Sequence, residues 1–295
     1  MAENPNLLKN LFNAFDPLRP LPAPDDHVAW YNRSVELGDL GRFEEAVASY
    51  DFALTFEPDF HEAWNNRGYA LGNLGRFEEA VTSYDFALKF QPDFHEAWNN
   101  RGNALRNLGR LEEAVANYDF ALKIKPDYHQ AWYNRGSVLE NLGRFEEAVA
   151  NYDQVLKIKP DKDEAWNNRG NALFNLGRFE EAVASYNFAL KIKPDLHYAC
   201  FNRGIALFNL GRFEEAVASY DQALKIKPDY HKAWYNKACL SALQGNIEQA
   251  IENLQQAIKL NPQKYREMAK TDSDFDKIRD SERFRALIQE PLSDN

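Results

Sequence analysis

A-W-N-N-R-G-Y-A-L-G-N-L-G-R-F-E-E-A-V-T-S-Y-D-F-A-L-K-F-Q-P-D, residues 63–93, decides the fold of this chain. With small edits it recurs from about residue 27 to about residue 262. Tryptophan marks the beat at Trp30, Trp64, Trp98, Trp132, Trp166 and Trp234, and Cys200 stands in once. Every step is 34 residues. A fixed period in this range is the signature of a stacked array, in which each unit buries its apolar face only against its neighbours.

Each unit reads as two helices. In the quoted stretch the first runs to about Leu74, where Gly75 supplies a left-handed residue that ends it. The second starts near Phe77, with Glu78 and Glu79 at its positive end, and carries Ala80, Val81, Tyr84, Ala87 and Leu88 as an apolar stripe at helical spacing. Pro58, Pro92, Pro126, Pro160, Pro194 and Pro228 stop the preceding helix. Asp59 with Glu62, Asp93 with Glu96 and Asp161 with Glu164 have the spacing of capping boxes at the next helix start.

Numbering the unit from His61 puts Trp64 at position 4, Gly68 at 8, Leu71 at 11, Ala80 at 20, Tyr84 at 24, Ala87 at 27 and Pro92 at 32. This pattern resembles the tetratricopeptide repeat. The resemblance implies an all-α fold, a right-handed superhelical α-solenoid of antiparallel helix pairs. Seven repeats then cover residues 27–60, 61–94, 95–128, 129–162, 163–196, 197–230 and 231–264, about four fifths of the chain. One departure recurs: where the family usually has Leu, position 7 is Arg33, Arg67, Arg101, Arg135, Arg169 and Arg203, then Lys237. A buried unpaired cation is costly, and acids recur at position 25 as Asp51, Asp85, Asp119, Asp153 and Asp221. Arg–Asp pairs between neighbouring helices are expected, and Asn187 breaks the pattern in the fifth repeat.

Residues 1–26 lie outside the array. Leu7, Leu8, Leu11, Phe12 and Phe15 suggest a short amphipathic helix, followed by an extended arm with Pro17, Pro20, Pro22 and Pro24. That segment is expected to cover the first repeat or to dock on a partner or a second copy. Beyond Pro262, residues 265–295 read as a helical cap and tail, with Phe275, Ile278, Phe284, Leu287 and Ile288 covering the last pair.

The formal net charge of -10 argues against a nucleic-acid or anionic-membrane partner. Cys200 and Cys239 make no disulfide framework, no stretch approaches a membrane span, and no secretory leader is recognisable, so the expected location is cytoplasmic. All six histidines occupy position 1, one per repeat, too far apart to share a metal, and no cofactor is expected. No catalytic constellation is expected either, because the carboxylate pairs at positions 18 and 19 recur with the repeat where a catalytic dyad would be unique.

The informative stripe is positions 2, 5, 6, 9 and 13 of the first helix, which share a face away from the core. In the tetratricopeptide family that stripe lines the concave surface and binds peptides. Position 6 is Asn32, Asn66, Asn100, Asn134, Asn168, Asn202 and Asn236, and position 13 adds Asn73, Asn107, Asn141, Asn175 and Asn209. A planar amide can pair with both groups of an extended backbone, and the ladder is similar to that of O-linked N-acetylglucosamine transferase repeats. Tyr133 lies on the stripe at position 5. Phe174, Tyr198, Phe201, Ile205, Phe208 and Tyr235 gather in repeats five to seven, where an apolar anchor pocket is expected. The sequence thus points to a non-enzymatic scaffold or adaptor that binds an extended peptide segment of a partner. The alternative is an assembly protein whose N-terminal arm docks on another copy to form a homo-oligomer.

Overall fold

The computed structural model describes residues 22–23 and 25–289. The expected helix at residues 7–15 and the end of the tail lie outside them. Among the described residues all regular structure is helical, and the chain divides after Arg144 into two compact units.

The first unit contains α1 (His27–Asp39), α2 (Phe43–Phe56), α3 (His61–Asn73), α4 (Phe77–Phe90), α5 (His95–Asn107), α6 (Leu111–Ile124) and α7 (His129–Asn141). The second contains α8 (Phe145–Ile158), α9 (Asp163–Asn175), α10 (Phe179–Ile192), α11 (His197–Asn209), α12 (Phe213–Ile226), α13 (His231–Leu243) and α14 (Ile247–Leu260). It ends with α15 (Pro262–Thr271), a 3-10 turn (Ser273–Ile278) and α16 (Glu282–Gln289). Within each unit the helices pack as successive antiparallel pairs, each pair resting on the next.

In the pairs of Gly68, Gly102, Gly170 and Gly204 the helices close where the glycine meets a tyrosine. A Cβ on Gly68 would sit 2.7 Å from the Tyr84 ring, and one on Gly102 equally close to Tyr118. Only glycine lets the two helices approach that far. Alanine at positions 3 and 20 is fully buried beside them, as in Ala63, Ala80, Ala97 and Ala114. Gly75 has φ +75°, the left-handed conformation that turns the chain from α3 into α4.

The capping boxes do not form. The residue before α3 is Phe60, so Asp59 and Glu62 stand one position out of register for reciprocal capping. The tryptophan ties down the turn instead: Trp64 Nε1 donates to the Pro58 carbonyl at 2.9 Å, and Trp98, Trp132, Trp166 and Trp234 repeat the bond to their own prolines. Asp26 does cap α1, accepting from the Ala29 amide at 2.9 Å.

Position-7 cations pair as expected with the acid of the preceding repeat. Arg67, Arg101 and Arg169 reach Asp51, Asp85 and Asp153 at 2.7–2.8 Å, and Arg135 reaches Asp119 at 2.7 Å. At the C-terminal end Tyr265, Phe275, Ile278, Phe284, Leu287 and Ile288 join Leu254 and Ile258 in one continuous core.

Candidate peptide-binding face

The first helices of successive pairs lie side by side within each unit, which brings position 6 of each close to position 5 of the one before. In the first unit the amides interlock. Asn100 donates to the Asn65 carbonyl at 3.2 Å, and Asn134 to that of Asn99 at 3.0 Å. Asn65 and Asn99 in turn donate to the carbonyls of Asn66 and Asn100, at 3.1 and 3.3 Å. Asn66 donates to the Tyr31 hydroxyl at 3.0 Å. The ladder is therefore a chain of bonded amides running along the stack. Asn100 spends one N–H and one lone pair on it and keeps the other of each. Asn32 is exposed at the end of the row.

In the second unit Asn167 donates to Asn168 at 3.2 Å and Asn202 to Asn171 at 3.0 Å, while Asn236 bonds Tyr220. The position-13 amides belong to the helix ends: Asn73, Asn107, Asn175 and Asn209 each donate at 2.9 Å to the carbonyl four residues back.

Two expected anchor residues are corrected. Phe201 and Tyr235 are only 8% and 4% exposed. Phe201 packs edge-on against Tyr230 at 5.1 Å. Tyr235 stacks on Tyr265 at 4.9 Å and donates its hydroxyl to Asp272 at 2.7 Å. Position 5 faces the aromatic residues that follow in the chain, so its side chain belongs to the core. Phe174 and Phe208 are half-buried against Phe179 and Phe213, and Tyr198, Ile205 and Tyr133 are also half-buried.

Among the described residues the most open aromatic lies elsewhere. Tyr69, at position 9 of the second repeat, is 58% exposed. It borders a cavity of about 170 Å³ with Phe77, Tyr84, Asn100, Asn103 and Asn107. In the third and fifth repeats position 9 is asparagine and accepts the buried tyrosine hydroxyl, Tyr118 to Asn103 at 2.8 Å and Tyr186 to Asn171 at 2.9 Å. Tyr69 offers no such amide, so the hydroxyl of Tyr84, a residue 3% exposed, reaches the cavity wall without a partner among the described residues. Burial drives its pKa well above the usual tyrosine value. The signal was present in the sequence as a Tyr where Asn103 and Asn171 recur.

The histidines close the repeat junctions. His61, His95 and His197 meet Phe94, Tyr128 and Tyr230 edge-on at 4.9–5.4 Å. Cys239, Asp272 and Asp274 bring ligand-type atoms within 4.8 Å of one another. Their groups serve the fold: Asp272 caps the 3-10 turn and accepts from Tyr235, and burial with two flanking carboxylates holds the Cys239 thiol protonated. Among the described residues no helix is long and apolar enough to cross a membrane.

Family models described as "TPR repeat" match residues 36–75 and 102–143. Models described as "Tetratricopeptide repeat" match residues 61–94, 84–116, 133–197, 197–230 and 231–264. Together these spans run without a gap from residue 36 to residue 264. No curated protein matches the sequence. Among solved structures, YrrB, described as a TPR protein with an unusual peptide-binding site, is 24% identical with a TM-score of 0.55, covering 62% of this chain and 94% of its own. A tetratricopeptide repeat protein from Parabacteroides merdae is 20% identical with a TM-score of 0.60, over 83% of this chain and 97% of its own. The C-terminal part of a repeat-containing protein from Cytophaga hutchinsonii is 14% identical with a TM-score of 0.69, over 84% of this chain and 99% of its own. At these identities the likeness is one of fold.

Proposed function

Because the chain belongs to the tetratricopeptide repeat family, we propose that it is a non-enzymatic scaffold that binds an extended peptide segment of a partner protein along its first helices. The observation that carries this reading is the cavity beside Tyr69. An exposed ring, the Tyr84 hydroxyl at the cavity wall and the amides of Asn100 and Asn103 converge there. Apolar walls with a few convergent polar groups are the usual make-up of a binding pocket. The interlocked amides on either side leave spare donors and acceptors at the spacing of one per repeat. An extended backbone laid across them can bond to those groups while one side chain enters the cavity. The peptide-binding site named for YrrB is consistent with this use of the fold.

The reading is tested by affinity capture with the full-length protein, comparing wild type with Tyr69→Ala and with Asn100→Ala/Asn134→Ala/Asn168→Ala. Melting curves check the fold, since the amides also bond to one another. Partners held by wild type and lost by both variants support the groove. Partners held equally by all three place the binding surface elsewhere.

A further inference from the structure

The guanidinium of Arg203 breaks the rule that governs its equivalents. Arg67, Arg101, Arg135 and Arg169 each meet an aspartate, and Lys237 meets Asp221. Arg203 meets Asn187 instead. Its three nitrogens donate to neutral oxygens alone: to Ser219 Oγ at 3.1 Å, to Asn187 Oδ1 at 2.8 Å and to Gln222 Oε1 at 2.9 Å. One N–H remains on each terminal nitrogen. Arg203, Asn187 and Ser219 line a cleft of about 210 Å³ between α10, α11 and α12.

The charges around the cleft do not cancel. Arg212 and Glu215 lie on its wall and pair with each other through two bonds of 2.7 Å. With Arg212 and Glu215 paired, Arg203 leaves the cleft one positive charge in excess, and Glu215 acts on it through space without a direct bond. In the preceding repeat the same four positions hold Arg169, Asp153, Arg178 and Glu181, which pair off completely. Burial lowers the pKa of Arg203, in keeping with a cation short of a counter-charge. A half-buried cation held only by neutral acceptors gains most from an added anion, because Coulombic attraction is strong where water is partly excluded.

We propose that this cleft binds the side-chain carboxylate of an acidic residue on a protein partner, which supplies from outside the charge that the other repeats carry in the chain. A carboxylate matches the two remaining N–H groups of a guanidinium, and such charge-assisted pairs are the strong ones. The site lies off the first-helix stripe, so it is independent of the peptide reading above. The chain as a whole is acidic, at a formal net charge of -10. An acidic residue gains attraction only where a cation is uncompensated.

The test uses the full-length protein with labelled arginine, following the Arg203 side-chain resonance by NMR. The probes are a capped glutamate residue, a capped glutamine residue, sodium acetate, and sodium chloride at matched ionic strength. The Arg203 resonance is assigned by its loss in Arg203→Lys. Capped glutamate is expected to shift it saturably while capped glutamine and chloride do not. Asn187→Asp restores the internal carboxylate and is expected to weaken capped-glutamate binding at least about tenfold, with an unchanged or raised melting temperature. The proposal is overturned if chloride shifts the resonance equally, or if Asn187→Asp binds capped glutamate as well as wild type. Acetate binding as tightly as the capped residue would make the occupant a free carboxylate and overturn the assignment to a partner.

Discussion

Arg67 Nε lies 2.7 Å from the Asp51 carboxylate, sixteen residues and one helix pair away. The same guanidinium reaches Ser83 Oγ at 2.7 Å in the second helix of its own repeat. One side chain thus ties three helices together, at a position where the family places leucine. The arginine is 17% exposed and the aspartate 40%, so water screens the acid more than the base.

Removing the half-exposed acid should cost more than replacing the mostly buried arginine. Asp51→Ala strands a mostly buried cation and should cost about 1–2 kcal/mol, within the range for half-buried pairs. Arg67→Leu fills the same space with apolar atoms and should be close to neutral. The double variant should then lose no more than Arg67→Leu alone. Hydrogen-exchange protection in α2 and α3 gives the readout, since an array need not unfold as one unit. Strictly additive losses would show that the two residues act separately.

Gly68 and Gly102 face equivalent tyrosines at 2.7 Å, yet their alanine variants should differ. Tyr118 is held in place by its bond to Asn103, so a methyl group on Gly102 has nowhere to push it. Tyr84 borders the cavity beside Tyr69 and has no such bond, so its ring can give way. Overpacking of this kind costs about 1–3 kcal/mol. Gly102→Ala should sit at the upper end of that range and Gly68→Ala about 1 kcal/mol below it. Thermal melts of the two variants compare them directly; equal losses would mean that the cavity does not relieve the clash.

Repetition made the fold legible, because a 34-residue copy of Gly68, Ala80 and Tyr84 states the same helix contact again and again. The Arg–Asp ties were legible for the same reason, as a cation at position 7 and an acid at position 25 that recur together in most repeats. Features that occur once were harder to read. Position 9 varies and is Asn only at Asn103 and Asn171, and only the structure shows that Tyr69 there leaves Tyr84 unpartnered and a cavity beside it. Phe201 and Tyr235 misled in the opposite direction. Helical spacing places position 5 on the outer stripe, but the later aromatics Tyr230 and Tyr265 cover it. Spacing reports which face of a helix a residue occupies, and says nothing of what the next turn of chain lays over that face.

The C-terminal helices should loosen in acid. His231 contacts the Tyr265 hydroxyl through Nδ1. Burial, followed by Lys264, Lys232 and Lys227, holds its pKa below the usual histidine value of about 6.5. A depressed histidine pKa means that the unfolded chain takes up the proton first as pH falls. The contribution is complete above about pH 6.5 and declines as the pH drops through the lower folded value. Hydrogen exchange in α15 should therefore quicken between pH 7 and pH 5 more in wild type than in His231→Gln. Identical pH profiles would remove the histidine from this role.

Phe275 and Phe284 stack at 5.3 Å with no exposed surface, and they close the apolar side of α14. The last pair of an array has no following repeat, and these rings cover apolar surface of that pair in its place. Phe284→Ala should cost about 3–5 kcal/mol of local stability, the range for emptying a fully packed aromatic site. Because the core here joins Leu254 and Ile258 to the rings, protection should fall in α14 as well as α16. It should not fall in α9 and α10, which contribute no residue to this cluster. The exposed face of α14 should also drive concentration-dependent association, visible by light scattering. A variant that keeps α14 protected and stays unassociated would show that the last pair holds without its cover.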